Sequence, residues 1–252
     1  QAIAQAEKAG QLARSRTRLV IIGHSFGGAL VHSSIEQLLK NRFIETGGSP
    51  HGVVTNARGF GNLVVLINPA FEANLYSTMS DMANGRGFYF DGQDPVLAVL
   101  TSEADLATKI AFPLGRSFST IFENTRIVPR ENRPTKETQN INQDDGNITT
   151  IGHFEPYRTH YLAPSKSVEE VKKQTIQQSA TSTVNVIKSW RNDKPGGKID
   201  FQGSVLERTT NSVARNPYLV VKVSKELIPS HNEIYDPRVT AFIRQLILIT
   251  AQ

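Results

Sequence analysis

The segment Arg18-Leu-Val-Ile-Ile-Gly-His-Ser-Phe-Gly-Gly-Ala-Leu30 limits the possible folds of this chain more than any other stretch. Arg18 to Ile22 is short, β-branched and apolar at consecutive positions, the pattern of a strand buried on both faces of a parallel sheet. From Ala29 to Leu39 the apolar residues return at helical spacing, with Leu30, Ile35, Leu38 and Leu39 as the expected buried side. Between the two lies Gly23-His24-Ser25-Phe26-Gly27. A serine on so sharp a strand-to-helix turn is pushed out beyond the carboxyl edge of the sheet. Glycines are expected at 23 and 27 because side chains there would meet the neighbouring strand and helix. The Phe26 amide, at the helix start, can donate to a developing oxyanion with help from the helix dipole.

The rest of the chain supplies partners for that unit. Leu63 to Ile67, Pro95 to Leu100 and Tyr218 to Val223 read as further buried strands, and their long separations in sequence point to parallel crossover connections. An Ala- and Gln-rich helix is expected over Ala2 to Arg14, and an amphipathic segment over Pro237 to Ile249. Between them, Phe112 to Asn216 has a different character. Asn132 to Gly146 is polar and turn-rich and reads as a surface loop, and Ser167 to Trp190 reads as a helix that begins with a capping pattern. A turn is expected at Asp193-Lys-Pro-Gly-Gly197 and a strand over Ile199 to Leu206. The organisation predicted is one domain over 1–252 with a lid-like insertion at 112–216.

Composition removes several functions. There is no cysteine among the 252 residues, so disulfides, thiolate zinc sites and thiol nucleophiles are excluded. The net charge of +5 comes from Lys and Arg scattered among acids, which describes a solvated surface and not a nucleic-acid binder. No apolar run is long enough to cross a bilayer, so a soluble chain is expected, with the cytoplasm as the default location. Calcium has no supporting acidic loop, since Asp144-Asp-Gly146 is an ordinary turn signal, and no cofactor or metal is implied.

A serine hydroxyl needs an adjacent general base to attack at neutral pH. His24 is too close in sequence to serve Ser25 and is expected to line the pocket or pack beside the strand, and His32 reads as a helix-face residue. The Lys and longer glycine spacing of a phosphate-binding loop are missing. With Gly-His-Ser-x-Gly-Gly set between a strand and a helix, the chain resembles the α/β-hydrolase family, in particular its lipase- and esterase-like members. The resemblance implies a mostly parallel sheet in which the four apolar strands correspond to the family's fifth to eighth. In that order the acid follows the seventh strand and the base the eighth, which selects Asp105 and His231 beside Ser25. Glu72, Glu103 and Asp94 compete for the acid, and His153 and His160 for the base. The segment Gly152 to His160 is dense in polar and aromatic groups, and His153 and His160 are expected to line the substrate site from the insertion. Phe112, Phe118, Phe122 and Phe154 are candidate lining residues for an apolar acyl group.

The implied activity is hydrolysis of a carboxylic ester or lipid-like small molecule through an acyl-Ser25 intermediate. The alternative is a noncatalytic binding module that keeps the fold. The family's first four strands have no counterpart ahead of Ser25, so an amino-terminally truncated segment, or a missing partner chain, is expected. The elbow strand would then expose an unpaired edge and an apolar face.

Overall fold

The computed structural model describes residues 17–46, 54–112, 126–132, 135–192 and 197–250. The helix expected at 2–14, Phe118, Phe122 and most of the turn at 193–197 lie outside them.

The architecture is α/β, with a mostly parallel seven-stranded sheet and helices on both faces. The elbow strand is β1 (Val20–His24), followed by helix α1 (Phe26–Thr46). Next come β2 (Leu63–Ile67), α2 (Ser77–Gly85) and β3 (Leu97–Ser102). A hairpin of β4 (Ile127–Asn132) and β5 (Glu137–Asn142) leads into α3 (Gln143–Ile148). The chain continues through β6 (His160–Pro164), α4 (Val168–Lys172) and α5 (Ile176–Arg191). It closes with β7 (Lys198–Asp200), β8 (Ser204–Arg208), β9 (Tyr218–Val223) and α6 (Pro237–Ile249). The sheet order is β1-β2-β3-β9-β6-β8-β7, with the first five strands parallel and β8 antiparallel to both of its neighbours, β6 and β7.

Strands β2, β3 and β9 are buried nearly throughout because alternate side chains enter two separate cores. On one face Val64, Leu66, Val99 and Val220 meet Ile35, Leu39 and Phe43 of α1 together with Tyr76 and Met79. On the other, Val65, Leu100 and Val221 meet Trp190 of α5 and Phe242 and Leu246 of α6. The Trp190 indole N–H donates to the Gln93 carbonyl at 2.7 Å, so this large buried ring leaves no polar atom unmet. The predicted cap is present. Ser167 and Glu170 form a capping box, and Thr175 and Gln178 form a second one that restarts the helix after a break at 173–175.

Three expectations need correction. Residues 160–208 do not form a lid. They supply β6, β8 and β7, which extend the main sheet at the end away from β1, and the alternating burial of His160, Tyr161 and Leu162 gives the physical reason. The polar stretch at 132–146 is a hairpin strand and helix α3, not a loop, with β4 and β5 pairing as a separate two-stranded sheet. Ile35 and Leu39 of the predicted helix face are buried, but Leu30 faces solvent and His32 joins the buried side.

Among the described residues β1 is an outer strand, paired with β2 alone, and Leu19, Ile22, Phe26 and Leu30 beside it are exposed. No helix among the described residues is long and apolar enough to cross a membrane.

Candidate active site

The elbow places Ser25 between the end of β1 and the first turn of α1 with φ of 54°, in the left-handed region that a side chain enters only at a cost. Three backbone hydrogen bonds fix this turn. The Ser25 amide donates to the Ile67 carbonyl at 3.1 Å, and the Ser25 carbonyl accepts from the amides of Ala29 and Ala70. Gly23 is required, since a Cβ there would stand 2.8 Å from Gly28 Cα. Gly27 does not play the role expected of it, because a Cβ at 27 meets nothing within 4 Å. The close approach belongs to Gly28, where a Cβ would sit 2.9 Å from Pro69 Cβ.

Asp105 and His231 converge on this serine from loops after β3 and β9. His231 Nε2 lies 2.8 Å from Ser25 Oγ, and His231 Nδ1 lies 2.9 Å from Asp105 Oδ1. A carboxylate only accepts, so Nδ1 carries the proton and donates to Asp105, leaving Nε2 to accept from the serine hydroxyl. Asp105 is fully buried. Its charge is met by three donors: His231 Nδ1, the Thr108 amide to Oδ1 at 3.2 Å, and the Thr108 hydroxyl to Oδ2.

The loop bearing His231 is tied to the strand ends. Both His24 Nε2 and Asn68 Nδ2 reach the His231 carbonyl at 2.9 Å, and the Ser102 hydroxyl donates to the Ile228 carbonyl. Asn68 is buried, has φ of 44° and accepts from the Ser102 amide through Oδ1, so one side chain joins the ends of β2 and β3 to the histidine loop. Neither Asn68 nor Thr108 was visible as a site residue in the sequence. The only signal was the Asn68-Pro69 stop to a buried strand.

The other candidates fall elsewhere. His24 sits beside His231, its ring centroid 4.9 Å away, and its Nε2 contact to the His231 carbonyl holds that loop. His153 lies behind the acid, with Nε2 3.1 Å from Thr108 Oγ1. Burial holds its imidazole down to about 4, against a raising influence of Asp105 and lowering ones of Lys109 and Lys222. His160 is not at the site. Its register through Val221, Leu100 and Ile67 places it four strands from His24, a separation of roughly 19 Å. It is a buried sheet residue whose imidazole is pushed down to about 3 by burial, then by Arg208.

The rival acids are engaged away from the base. Asp94 pairs with Arg191 at 2.8 Å, Glu103 accepts from the Lys225 amide, and Glu72 is placed by a backbone β-bridge to Thr150. Phe154 packs in the core edge-on to Tyr157, while Phe112 is half-buried. Among the described residues no group of three His, Asp or Glu side chains could hold a metal.

Comparison of the chain with protein families, curated proteins and solved structures finds no match.

Proposed function

We propose that this chain is a serine hydrolase of α/β-hydrolase type, acting on a carboxylic ester through an acyl-Ser25 intermediate. One observation carries the reading: the continuous hydrogen-bonded order Ser25, His231, Asp105, with the serine held at positive φ on a strand-to-helix turn. A structural serine needs neither the strained backbone nor an oriented imidazole backed by a buried carboxylate.

In the first half-reaction Ser25 Oγ bonds to the ester carbonyl carbon while His231 Nε2 takes its proton. The tetrahedral intermediate collapses with cleavage of the ester C–O bond, and the alkoxide leaves with that proton as an alcohol. Water repeats the sequence on the acyl-serine, releasing the acid and restoring Ser25. Asp105 keeps the imidazole in the required tautomer and stabilises it once charged. The Phe26 amide, at the start of a 21-residue helix, is the donor placed for the oxyanion.

The adjacency of β1, β2, β3 and β9 supports their correspondence to the fifth to eighth strands of a hydrolase-type sheet. Any lid function falls to the hairpin and helix at 127–148, the part of the insertion outside the main sheet. An apolar, lipid-like substrate is supported by the exposed Phe26 and Leu30 after the nucleophile and Leu106 and Ile110 after the acid.

The deciding experiment is labelling with a fluorophosphonate, followed by peptide mapping. Wild type is expected to be labelled on Ser25 and Ser25→Ala to be unlabelled. Wild type that stays unlabelled while folded would favour the noncatalytic binding module.

A further inference from the structure

We infer that Thr108 and His153 are positioning residues, a two-member donor relay that fixes the Asp105 carboxylate from the side opposite His231. The inference rests on the serine-hydrolase reading for its kinetic consequence, but the relay itself is a matter of hydrogen-bond direction.

That direction follows from the donor inventory. Thr108 Oγ1 and Asp105 Oδ2 are hydrogen-bonded, and two oxygens bond in this way only with a proton between them. Asp105 as a carboxylate has none to give, so the threonine hydroxyl donates. Its single proton spent, Thr108 Oγ1 can only accept at its second contact, and His153 Nε2 at 3.1 Å must therefore carry a hydrogen. With its imidazole held down to about 4, chiefly by burial, His153 is neutral at neutral pH and has one N–H, on Nε2. The chain of donation runs His153 to Thr108 to Asp105, where it meets the donation from His231 on the other oxygen.

Both links have a function. The carboxylate can rotate about its Cβ–Cγ bond, and only an orientation with Oδ1 toward Nδ1 serves the base. Thr108 holds both oxygens, Oδ1 through its amide and Oδ2 through its hydroxyl. A threonine hydroxyl can itself turn to another acceptor. The His153 N–H occupies one of its lone pairs and leaves the proton aimed at Asp105, and donation along such a chain strengthens each bond in it.

The surroundings hold His153 in place. Gly152 packs so tightly on Thr101 that a Cβ would lie 1.8 Å from its hydroxyl oxygen, and the His153 amide donates to the Thr150 carbonyl. The charged groups facing His153 are Asp105 and Lys109 from the loop after β3 and Lys222 from β9. The two lysines oppose a charged His153.

The test compares Thr108→Val, Thr108→Ser, His153→Leu and His153→Gln in the full chain, each checked for folding by near-ultraviolet circular dichroism. Two readouts are followed: the rate of fluorophosphonate labelling, and the low-field proton resonance of the His231 Nδ1–H shared with Asp105. Thr108→Val removes a hydrogen bond to a charged group and is expected to slow labelling on the order of tenfold to a hundredfold and to move the resonance. His153→Leu is expected to slow labelling severalfold and move the resonance in the same sense. Thr108→Ser and His153→Gln, which keep a hydroxyl and an N–H donor, are expected to restore most of both.

Unchanged labelling and resonance in Thr108→Val and His153→Leu would overturn the relay. Equal losses in His153→Gln and His153→Leu would also overturn it, by assigning His153 to packing alone. If wild type is not labelled but the resonance moves as described, the relay stands and the hydrolase reading falls.

Discussion

Acid should destabilise this fold through His32, and His32→Phe should remove that part of the sensitivity. The His32 ring is buried on the inner side of α1 and stacks on Phe71, centroids 4.1 Å apart and planes within 10°. Burial lowers its pKa from 6.5 to about 4; Glu36 one turn on opposes the shift and Lys40 adds to it. Its Nδ1 finds no partner among the described residues, so a phenyl ring sacrifices no hydrogen bond there.

The sign follows from proton counting. Between the folded and unfolded pKa values the unfolded chain holds the proton and the folded chain does not, so stability rises with pH across that window. The contribution of neutral His32 is therefore intact above about 6.5, falls as the pH drops toward about 4 and is constant below. The steepest slope is about 1.2 kcal/mol per pH unit, and the loss at pH 5 relative to neutrality is about 2 kcal/mol. Urea unfolding of wild type and His32→Phe near pH 7.5 and pH 5 measures it as a double difference, in which the parallel effects of His153 and His160 cancel. The variant should lose about 2 kcal/mol less on acidification. An equal loss in the two proteins would refute the reasoning, since the imidazole would then be protonated in the folded state as readily as in the unfolded one.

Two further predictions concern the elbow. Ser25→Gly and Ser25→Ala should both abolish labelling, but the glycine variant should be the more stable by about 1 kcal/mol in urea unfolding, because it relieves a residue at φ of 54°; equal stabilities would show that the turn carries no strain. Gly28→Ala should lower the thermal midpoint and slow labelling by forcing Pro69 and the Ser25 turn apart, whereas Gly27→Ala, with nothing within 4 Å of its Cβ, should leave the midpoint near that of wild type.

The legible parts of this molecule are those whose physics is local. A buried parallel strand must be apolar at every position, so β2, β3 and β9 announced themselves, and a nucleophile on a tight turn needs the Gly23-x-Ser25 spacing whatever surrounds it. β6 was missed because His160, Tyr161 and Pro164 hide an alternation that only neighbouring strands make meaningful. β4 and β5 were missed because a hairpin outside the main sheet can be built from Pro, Arg, Asn and Gln, with little apolar periodicity to betray it. The contacts among Ser25, His231 and Asp105 match the chain order that the resemblance implies, but the partners that orient them could not be read from the sequence. Thr108 and Asn68 are ordinary polar residues until Asp105 is buried against one and the His231 carbonyl is brought to the other.

That last distinction bears on how the site holds its geometry. Asp105 and His231 lie on different loops, yet neither loop depends only on itself for position. The Asn68 amide group touches the Ser102 amide on one side and the His231 carbonyl on the other, while Ser102 reaches the Ile228 carbonyl and His24 the His231 carbonyl. Every one of these anchors sits at the carboxyl end of β1, β2 or β3, and those ends are aligned by the register that sets His24 beside Ile67 and Ile67 beside Leu100. A one-residue slip in that register would reverse the faces of the buried strands, so the cores that fix the register also fix the distance between His231 and Ser25. The spacing of Ser25, His231 and Asp105 is thus held by the most deeply buried part of the sheet, while the hairpin at 127–142 shares none of these anchors.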